Sequence, residues 1–147
     1  MKVLVLNGPN LGTLGRREPQ VYGSRTLADL EALLSKRARD LGVELRCIQS
    51  NHEGELIDAI ENEGPSCDGI IINPGALSHY SLALADALRG SGTPVVEVHI
   101  SNVFAREPER QKIVTAAAAK GVISGLGFDG YLAALEFLRH QSGSPDR

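Results

Sequence analysis

Short apolar runs alternate with longer amphipathic segments along the chain. The run from Lys2 to Leu6 is followed at once by Asn-Gly-Pro, a pattern typical of a buried parallel strand that ends in a turn. The segment 69–73 contains three consecutive isoleucines, which favour the same assignment. The remaining predicted strands are 43–49, 94–99 and 122–126.

The segments between these runs carry apolar residues at helical spacing. In the first of them, 26–41, Leu27, Leu30 and Leu34 recur every three or four residues. Thr26 is suited to cap the start of this helix, and Gly42 stands just past its end. The other predicted helices are 53–63, 79–89, 108–118 and 129–140.

This alternation of five strands and five helices predicts a three-layer α/β domain. Right-handed crossovers place a parallel sheet between helices on both faces, and we predict the flavodoxin-like strand order 2-1-3-4-5. The predicted domain spans residues 1–140, and the composition of Gln141 to Arg147 predicts a disordered tail. One connection, from Asn7 to about Arg25, has a length typical of lids and binding loops.

Composition argues against several classes of binding partner for such a domain. The 147 residues are 42% hydrophobic with a formal net charge of -3, which excludes disordered chains and argues against generic nucleic-acid binding. The longest apolar run, Tyr131 to Leu135, is too short to span a membrane, and the first residues do not resemble a signal peptide. We therefore expect a cytoplasmic protein with no membrane or nucleic-acid partner. Cys47 and Cys67 are expected to be free thiols.

Polar residues follow three of the predicted strands where such folds bind their ligands. Asn10 comes soon after the first strand, Asn73 ends the third, and His99 and Ser101 stand at the end of the fourth. Open α/β sheets bind ligands beyond the carboxyl ends of their strands, next to the first strand. We therefore expect these side chains to converge on one crevice, with arginines of the long loop and of the segment after His99 at its rim.

Several common chemistries have no support in the sequence. The glycine-rich stretch from Gly8 to Gly15 matches neither of the usual phosphate-loop patterns. The chain contains no HExxH, no GxSxG and no cluster of cysteine and histidine at metal-ligand spacing. What remains is acid–base chemistry on a small anion, without a metal or organic cofactor.

The candidates for proton transfer are a histidine and a tyrosine. His99 can gain or lose a proton near neutral pH, and Glu97, on the same face of the strand, can hold its ring. Tyr22 lies in the long loop close to Arg16 and Arg17, and a neighbouring guanidinium favours an ionised phenol. Purely structural interpretations remain open: a histidine at a sheet edge, an ordinary ion pair and a surface tyrosine.

Two further pairs have equally open interpretations. Ser78 and His79 stand where a helix is predicted to begin, so Ser78 is either a cap or part of the site, and His79 either a ligand-binding or a surface residue. Arg106 and Arg110 are four residues apart, a spacing at which two side chains can share a helix face. That face either grips an anion or is simply solvated.

These residues, in this order, resemble the type II 3-dehydroquinate dehydratases of the shikimate and quinate pathways. The resemblance covers about residues 3 to 138. Its motifs are Asn7-Gly8-Pro9-Asn10-Leu11, Gly15-Arg16-Arg17-Glu18-Pro19 with Tyr22-Gly23, Gln49-Ser50-Asn51, Ile72-Asn73-Pro74 with His79, Glu97-Val98-His99-Ile100-Ser101-Asn102, and Gly125-Leu126-Gly127 with Gly130-Tyr131.

The resemblance implies dehydration of 3-dehydroquinate to 3-dehydroshikimate by anti elimination through an enolate, with no metal or organic cofactor. Tyr22 matches the base and Arg17 the cation that favours its ionised form. His99 matches the general acid, with Glu97 orienting it. Asn10 matches the residue that holds the enolate oxygen through a water.

The resemblance also implies a substrate-binding set and an assembly. Asp86 matches a residue supplied to the site of a neighbouring subunit, in a dodecamer that is a tetramer of trimers. The segment 109–114 departs from the family, since Glu109 replaces an aromatic residue and the usual histidine and serine are missing. The residues assigned to substrate binding, besides Asp86, are Asn73, His79, Ile100, Ser101, Arg106 and Arg110.

A flavodoxin-like module that binds a metabolite without turning it over is the alternative from another class. The presence of both Tyr22 and His99 argues against it, because binding alone needs no base opposite an acid.

Overall fold

The computed structural model describes residues 1–143, which form one central sheet. Its strands are β1 (Lys2–Asn7), β2 (Glu44–Gln49), β3 (Gly69–Asn73), β4 (Val95–His99) and β5 (Gly121–Ser124). All neighbouring strands are parallel, in the order β2-β1-β3-β4-β5. The predicted fold class and strand order are confirmed.

Within residues 1–143, four α-helices lie between these strands and a fifth follows the last strand. They are α1 (Pro19–Tyr22), α2 (Leu27–Leu41), α3 (Glu53–Glu63), α4 (Leu82–Gly90) and α5 (Asp129–Ser142). Helix α2 begins at the predicted cap: the Thr26 hydroxyl accepts the Asp29 N–H, and the Asp29 carboxylate accepts the Thr26 N–H. It ends at Gly42, which has a left-handed φ of 70°.

Two hydrophobic cores lie on opposite faces of the sheet. Val3 and Val5 of β1 pack with one core, which is covered by α2 and α5, while Leu4 and Leu6 pack with the other, under α3 and α4. Because both faces are buried, the strands are apolar at consecutive positions rather than at alternate ones.

The predicted helix 108–118 is wrong. That segment contains only two short 3-10 turns, Pro108–Arg110 and Ala116–Ala118. Between them the Val114 N–H donates to the Ser78 carbonyl at 2.7 Å, and the Thr115 side chain is buried. Tertiary contacts therefore override the helix propensity of the alanine run.

Other boundaries differ by a few residues. Helix α4 begins at Leu82, because a 3-10 turn at Gly75–His79 comes before it. Its cap is Ser81 and not Ser78: the Ser81 side chain accepts the Leu84 N–H. Strand β5 stops at Ser124, where Gly125 turns with a φ of 94°. Helix α5 runs through Ser142, so the first two residues of the predicted tail are helical. The last four residues of that tail, 144–147, lie outside the described residues.

No helix within residues 1–143 is long and apolar enough to cross a membrane. The long connection between β1 and α2 contains a 3-10 turn, Leu11–Thr13, and the short helix α1.

The loops after β1 and β3 touch each other through their backbones at the edge of the sheet. The Gly8 N–H donates to the Asn73 carbonyl at 2.8 Å, and a Cβ on Gly8 would lie 2.5 Å from the Pro74 carbonyl oxygen. Gly75 combines a φ of 61° with a similar approach to the Pro9 carbonyl. Only glycine fits these two positions.

We expect Gly8→Ala to destabilise the fold by about 1–3 kcal/mol, because the new methyl group meets a backbone atom that has no room to move. The matched control is Gly54→Ala, on the exposed side of α3, where a Cβ meets nothing within 4 Å. The control should stabilise the fold by about 0.5–1 kcal/mol. Urea unfolding followed by circular dichroism measures both, and changes of the same sign would contradict the prediction.

Candidate active site

A crevice lies at the carboxyl ends of β1, β3 and β4, and the loop between β1 and α2 covers it. Its walls include most of the residues that the sequence singled out. Glu97 lies beneath it and Asp86 lies elsewhere. The predicted site residues that line the crevice are Asn10, Arg17, Tyr22, Asn73, His79, His99, Ile100, Ser101, Arg106 and Arg110.

A buried chain of hydrogen bonds holds the histidine at its base. His99 Nε2 lies 2.6 Å from Glu97 Oε2, and the Thr115 hydroxyl donates to the other oxygen, Oε1. Glu97 and Thr115 are fully buried, and His99 is 5% exposed. Since a carboxylate only accepts, Nε2 carries a hydrogen, and Nδ1 is the nitrogen with no partner among the described residues.

Two guanidinium groups surround the tyrosine of the long loop. Arg106 Nη1 donates to the Tyr22 hydroxyl oxygen at 2.8 Å. Arg17 lies over the ring, with its Cζ 4.8 Å from the ring centroid. The sequence placed Arg16 and Arg17 near this phenol, and the resemblance assigned Arg17 to it and Arg106 to ligand binding. In the structure Arg106 makes the direct contact with the oxygen.

Asn10 is held in an unusual backbone conformation. Its φ of 71° is left-handed, which asparagine tolerates better than most residues. The Asn10 N–H donates to Asn51 Oδ1 at 3.0 Å, and Gln49 Nε2 donates to the same oxygen and to the Gly8 carbonyl. The motif Gln49-Ser50-Asn51 therefore anchors the start of the loop that covers the crevice.

His79 joins the turn after β3 to the segment after β4. Its Nδ1 lies 2.8 Å from the Lys112 carbonyl oxygen, so this nitrogen carries the hydrogen. Its ring is stacked beside that of His99, with the centroids 6.4 Å apart. Ser78 is fully buried and bonds to the Gly75 carbonyl, so it is part of the turn and not a helix cap.

Arg110 and Arg106 do not share a helix, but the turn at Pro108–Arg110 brings both to the crevice. Arg110 pairs with Glu107, with 2.5 Å between Nε and Oε1. The pKa of Glu107 is lowered, first by a hydrogen bond from its own backbone N–H and then by Arg110.

Asp86 does not reach this crevice. It lies on α4 with its side chain 78% exposed, 3.4 Å from Arg89. A wider depression at the opposite edge of the sheet, bordered by Asp68, Arg89 and Lys120, contains none of the predicted site residues. Residues 1–143 contain no group of three His, Cys, Asp or Glu side chains placed to hold a metal ion.

Sequence reasoning missed Thr115 and the support given by Asn51. Thr115 stands before four alanines in a segment predicted to be helical, so nothing in the local pattern marks it as buried. Asn51 belonged to a motif that carried the resemblance, but its contact with Asn10 spans 41 residues of sequence and follows no spacing rule.

A doubly wound parallel sheet, with histidine, tyrosine and arginine side chains around a crevice at the ends of its central strands, defines a flavodoxin-like α/β protein with a site for a small anionic molecule. Within that class, the chain belongs to the family Dehydroquinase class II, whose family model matches residues 1–139.

Relatives across this family are similar over nearly their whole length. The 3-dehydroquinate dehydratase of Roseiflexus castenholzii is 59% identical over 138 residues, which cover 94% of this chain and 88% of the relative. The 3-dehydroquinate dehydratase of Gloeobacter violaceus is 55% identical over 146 residues, 97% of this chain and 91% of the relative. The crystal structure of the type II dehydroquinase from Propionibacterium acnes is 46% identical with a TM-score of 0.92, covering 95% of this chain and 96% of that one.

We expect Thr115→Val to destabilise the fold by about 1.5–3 kcal/mol, because it leaves one oxygen of the buried Glu97 carboxylate without a donor. The matched control is Thr93→Val, whose hydroxyl donates to the neutral Gly64 carbonyl at 2.8 Å, at the other end of the sheet. The control should cost about 1 kcal/mol. Urea unfolding compares the two, and an equal loss in both variants would contradict a special role for the contact with Glu97.

Proposed function

We propose that this chain is a 3-dehydroquinate dehydratase, which removes water from 3-dehydroquinate to give 3-dehydroshikimate in the shikimate pathway. The observation that carries the proposal is that one crevice holds both a phenol between two guanidiniums and an imidazole on a buried carboxylate. These are a base and an acid of the kind that such an elimination needs. Family membership and the similarity to named dehydratases support the same reaction.

In this proposal Tyr22 is the base. As the phenolate, it removes the proton from the carbon beside the ring ketone, and the electron pair moves onto the ketone oxygen to form an enolate. Arg106 at the phenol oxygen and Arg17 over the ring stabilise the negative charge of the phenolate. A phenolate is a stronger base than a carboxylate, which suits a proton as weakly acidic as this one.

His99 is the general acid. The enolate collapses and expels the hydroxyl group on the far face, which leaves as water after taking the proton from Nδ1 of the imidazolium. Glu97 fixes the ring through Nε2, and its charge offsets that of the protonated ring. Asn10 holds the enolate oxygen through a water, in the manner of an oxyanion site.

The remaining crevice residues bind the substrate carboxylate and hydroxyls. Asn73 and Arg110 offer side-chain donors, and His79 offers Nε2 as an acceptor for a hydroxyl. Ile100 and Ser101 offer backbone and hydroxyl groups beside His99. The loop that carries Arg17 and Tyr22 closes over the substrate and excludes water. The reaction needs no metal or organic cofactor, since each proton has a protein donor or acceptor.

The assembly is proposed on separate grounds. Asp86, which the resemblance assigns to a neighbouring site, is exposed on α4 and lies outside its own crevice. Leu82, the first residue of the same helix, exposes 67% of its surface, and Tyr80, just before the helix, exposes 66%. We propose that this face meets another copy of the chain, in a dodecamer built as a tetramer of trimers, in the cytoplasm.

A continuous ultraviolet assay of the conjugated enone tests the reaction. We expect wild-type turnover to survive treatment with a chelator, and Tyr22→Phe and His99→Ala each to lower kcat by about 10²–10⁴-fold, because each loses a proton-transfer group. The matched control is His140→Ala, which removes an exposed imidazole on α5 outside the crevice, and it should keep the wild-type kcat.

If the wild type binds 3-dehydroquinate by calorimetry but never dehydrates it, the enzyme proposal is wrong and the chain is a metabolite-binding module. Full activity in Tyr22→Phe or His99→Ala would remove that residue from the mechanism while leaving the reaction in place.

Subunit mixing tests the role of Asp86. We expect Asp86→Asn and Tyr22→Phe each to be weakly active alone. Mixtures of the two that are refolded together should regain activity, because the intact Asp86 of one chain then completes the site that holds the intact Tyr22 of another. A mixture of Asp86→Asn with the double variant Tyr22→Phe/Asp86→Asn is the control and should regain nothing. Mixtures no more active than the sum of their parts would place Asp86 outside any shared site.

A further inference from the structure

A buried tyrosine links the two asparagines that end β1 and β3. Tyr131, in the first turns of α5, is fully buried, and its hydroxyl donates to Asn7 Oδ1 at 2.6 Å. The same hydroxyl oxygen accepts a hydrogen bond from Asn73 Nδ2 at 2.9 Å. Asn73 lines the crevice, whereas Tyr131 and Asn7 lie below it.

The sheet register brings these three residues together. Asn7 and Asn73 are paired in the parallel ladder, so their side chains leave the sheet on the same face. That face also carries Val5 and Ile71, which pack in the core under α2 and α5. Helix α5 therefore brings the Tyr131 hydroxyl over both amides at once.

These contacts fix which way the Asn73 amide points. Its Oδ1 accepts the Gly75 N–H at 3.1 Å, so the opposite atom is the nitrogen. One hydrogen of that nitrogen goes to the Tyr131 oxygen. The second has no partner among the described residues, and it is the donor that remains for a ligand in the crevice.

This network contains an unfavourable feature that stability of the fold alone does not explain. Asn7 Nδ2 is the one buried side-chain nitrogen or oxygen among residues 1–143 without a hydrogen-bond partner. Such an atom is costly, and apolar residues of the same shape would avoid the cost. Burial raises the pKa of the Tyr131 phenol, so its hydroxyl stays a neutral donor at neutral pH.

We propose that Tyr131 is a positioning residue for substrate binding: its hydroxyl, held by Asn7, turns an N–H of Asn73 toward the substrate. Tyr131 does not touch the substrate and takes part in no proton transfer. The inference rests on the proposed function only in naming 3-dehydroquinate as the ligand that Asn73 meets.

The test is Tyr131→Phe, assayed with 3-dehydroquinate. We expect KM to rise about tenfold with kcat changed by less than about twofold, because an anchoring contact is lost equally from the ground and transition states. Asn73→Ala should raise KM by itself, and adding Tyr131→Phe to it should raise KM no further. Thr93→Val controls for lost stability and should leave KM unchanged.

An unchanged KM in Tyr131→Phe, or effects that multiply in the double variant, would overturn the inference. Should Tyr131→Phe fail to fold by circular dichroism, Asn7→Ala takes its place. It frees the phenol from its acceptor, and we expect a smaller rise in KM that also disappears when Asn73→Ala is present.

Failure of the function and failure of the inference give different results. If the wild type turns over 3-dehydroquinate and Tyr131→Phe has an unchanged KM, only the inference about Tyr131 is overturned. A wild type without turnover overturns the proposed reaction, and calorimetry then decides the role of Tyr131 from the ratio of the Kd values of variant and wild type for 3-dehydroquinate. A wild type that neither binds nor turns over this compound overturns both.

Discussion

A negative charge buried in the middle of a sheet is the constraint on which the rest of this site depends. Glu97 is fully buried on a central strand, and a carboxylate in that position is tolerated only when its oxygens are paired. His99 and Thr115 supply the pairing. The contact with Thr115 keeps the segment after β4 close to the sheet instead of letting it form a helix, and the same path carries Arg106 and Arg110 to the crevice.

Much of the fold could be predicted because its signals are local. The apolar runs of β1 and β3, the cap at Thr26 and the stop at Gly42 each follow from neighbouring residues. The convergence of Asn10, Asn73 and His99 followed from strand order, since parallel strands end at one edge. The helix prediction for segment 108–118 failed for the opposite reason. Its alanines favour a helix, but contacts with Glu97 and Ser78, which are far away in sequence, prevent it.

The crevice combines a rigid floor with a roof made of side-chain contacts. The floor is fixed by the backbone contacts of Gly8 with Pro74 and of Gly75 with Pro9, and by the network around Tyr131. A single sequence cannot reveal this network, because its members are up to 124 residues apart. The roof is the long loop. It is anchored at its start by Asn51 and at its end by Arg25, which lies over the Phe128 ring at 4.1 Å.

The hydrogen bond between Tyr22 and Arg106 closes this roof from two segments that are 84 residues apart in sequence. Any movement of the loop that takes Tyr22 away from the crevice therefore has to break this hydrogen bond. A compound that bonded to both side chains would hold the two segments together in place of this hydrogen bond.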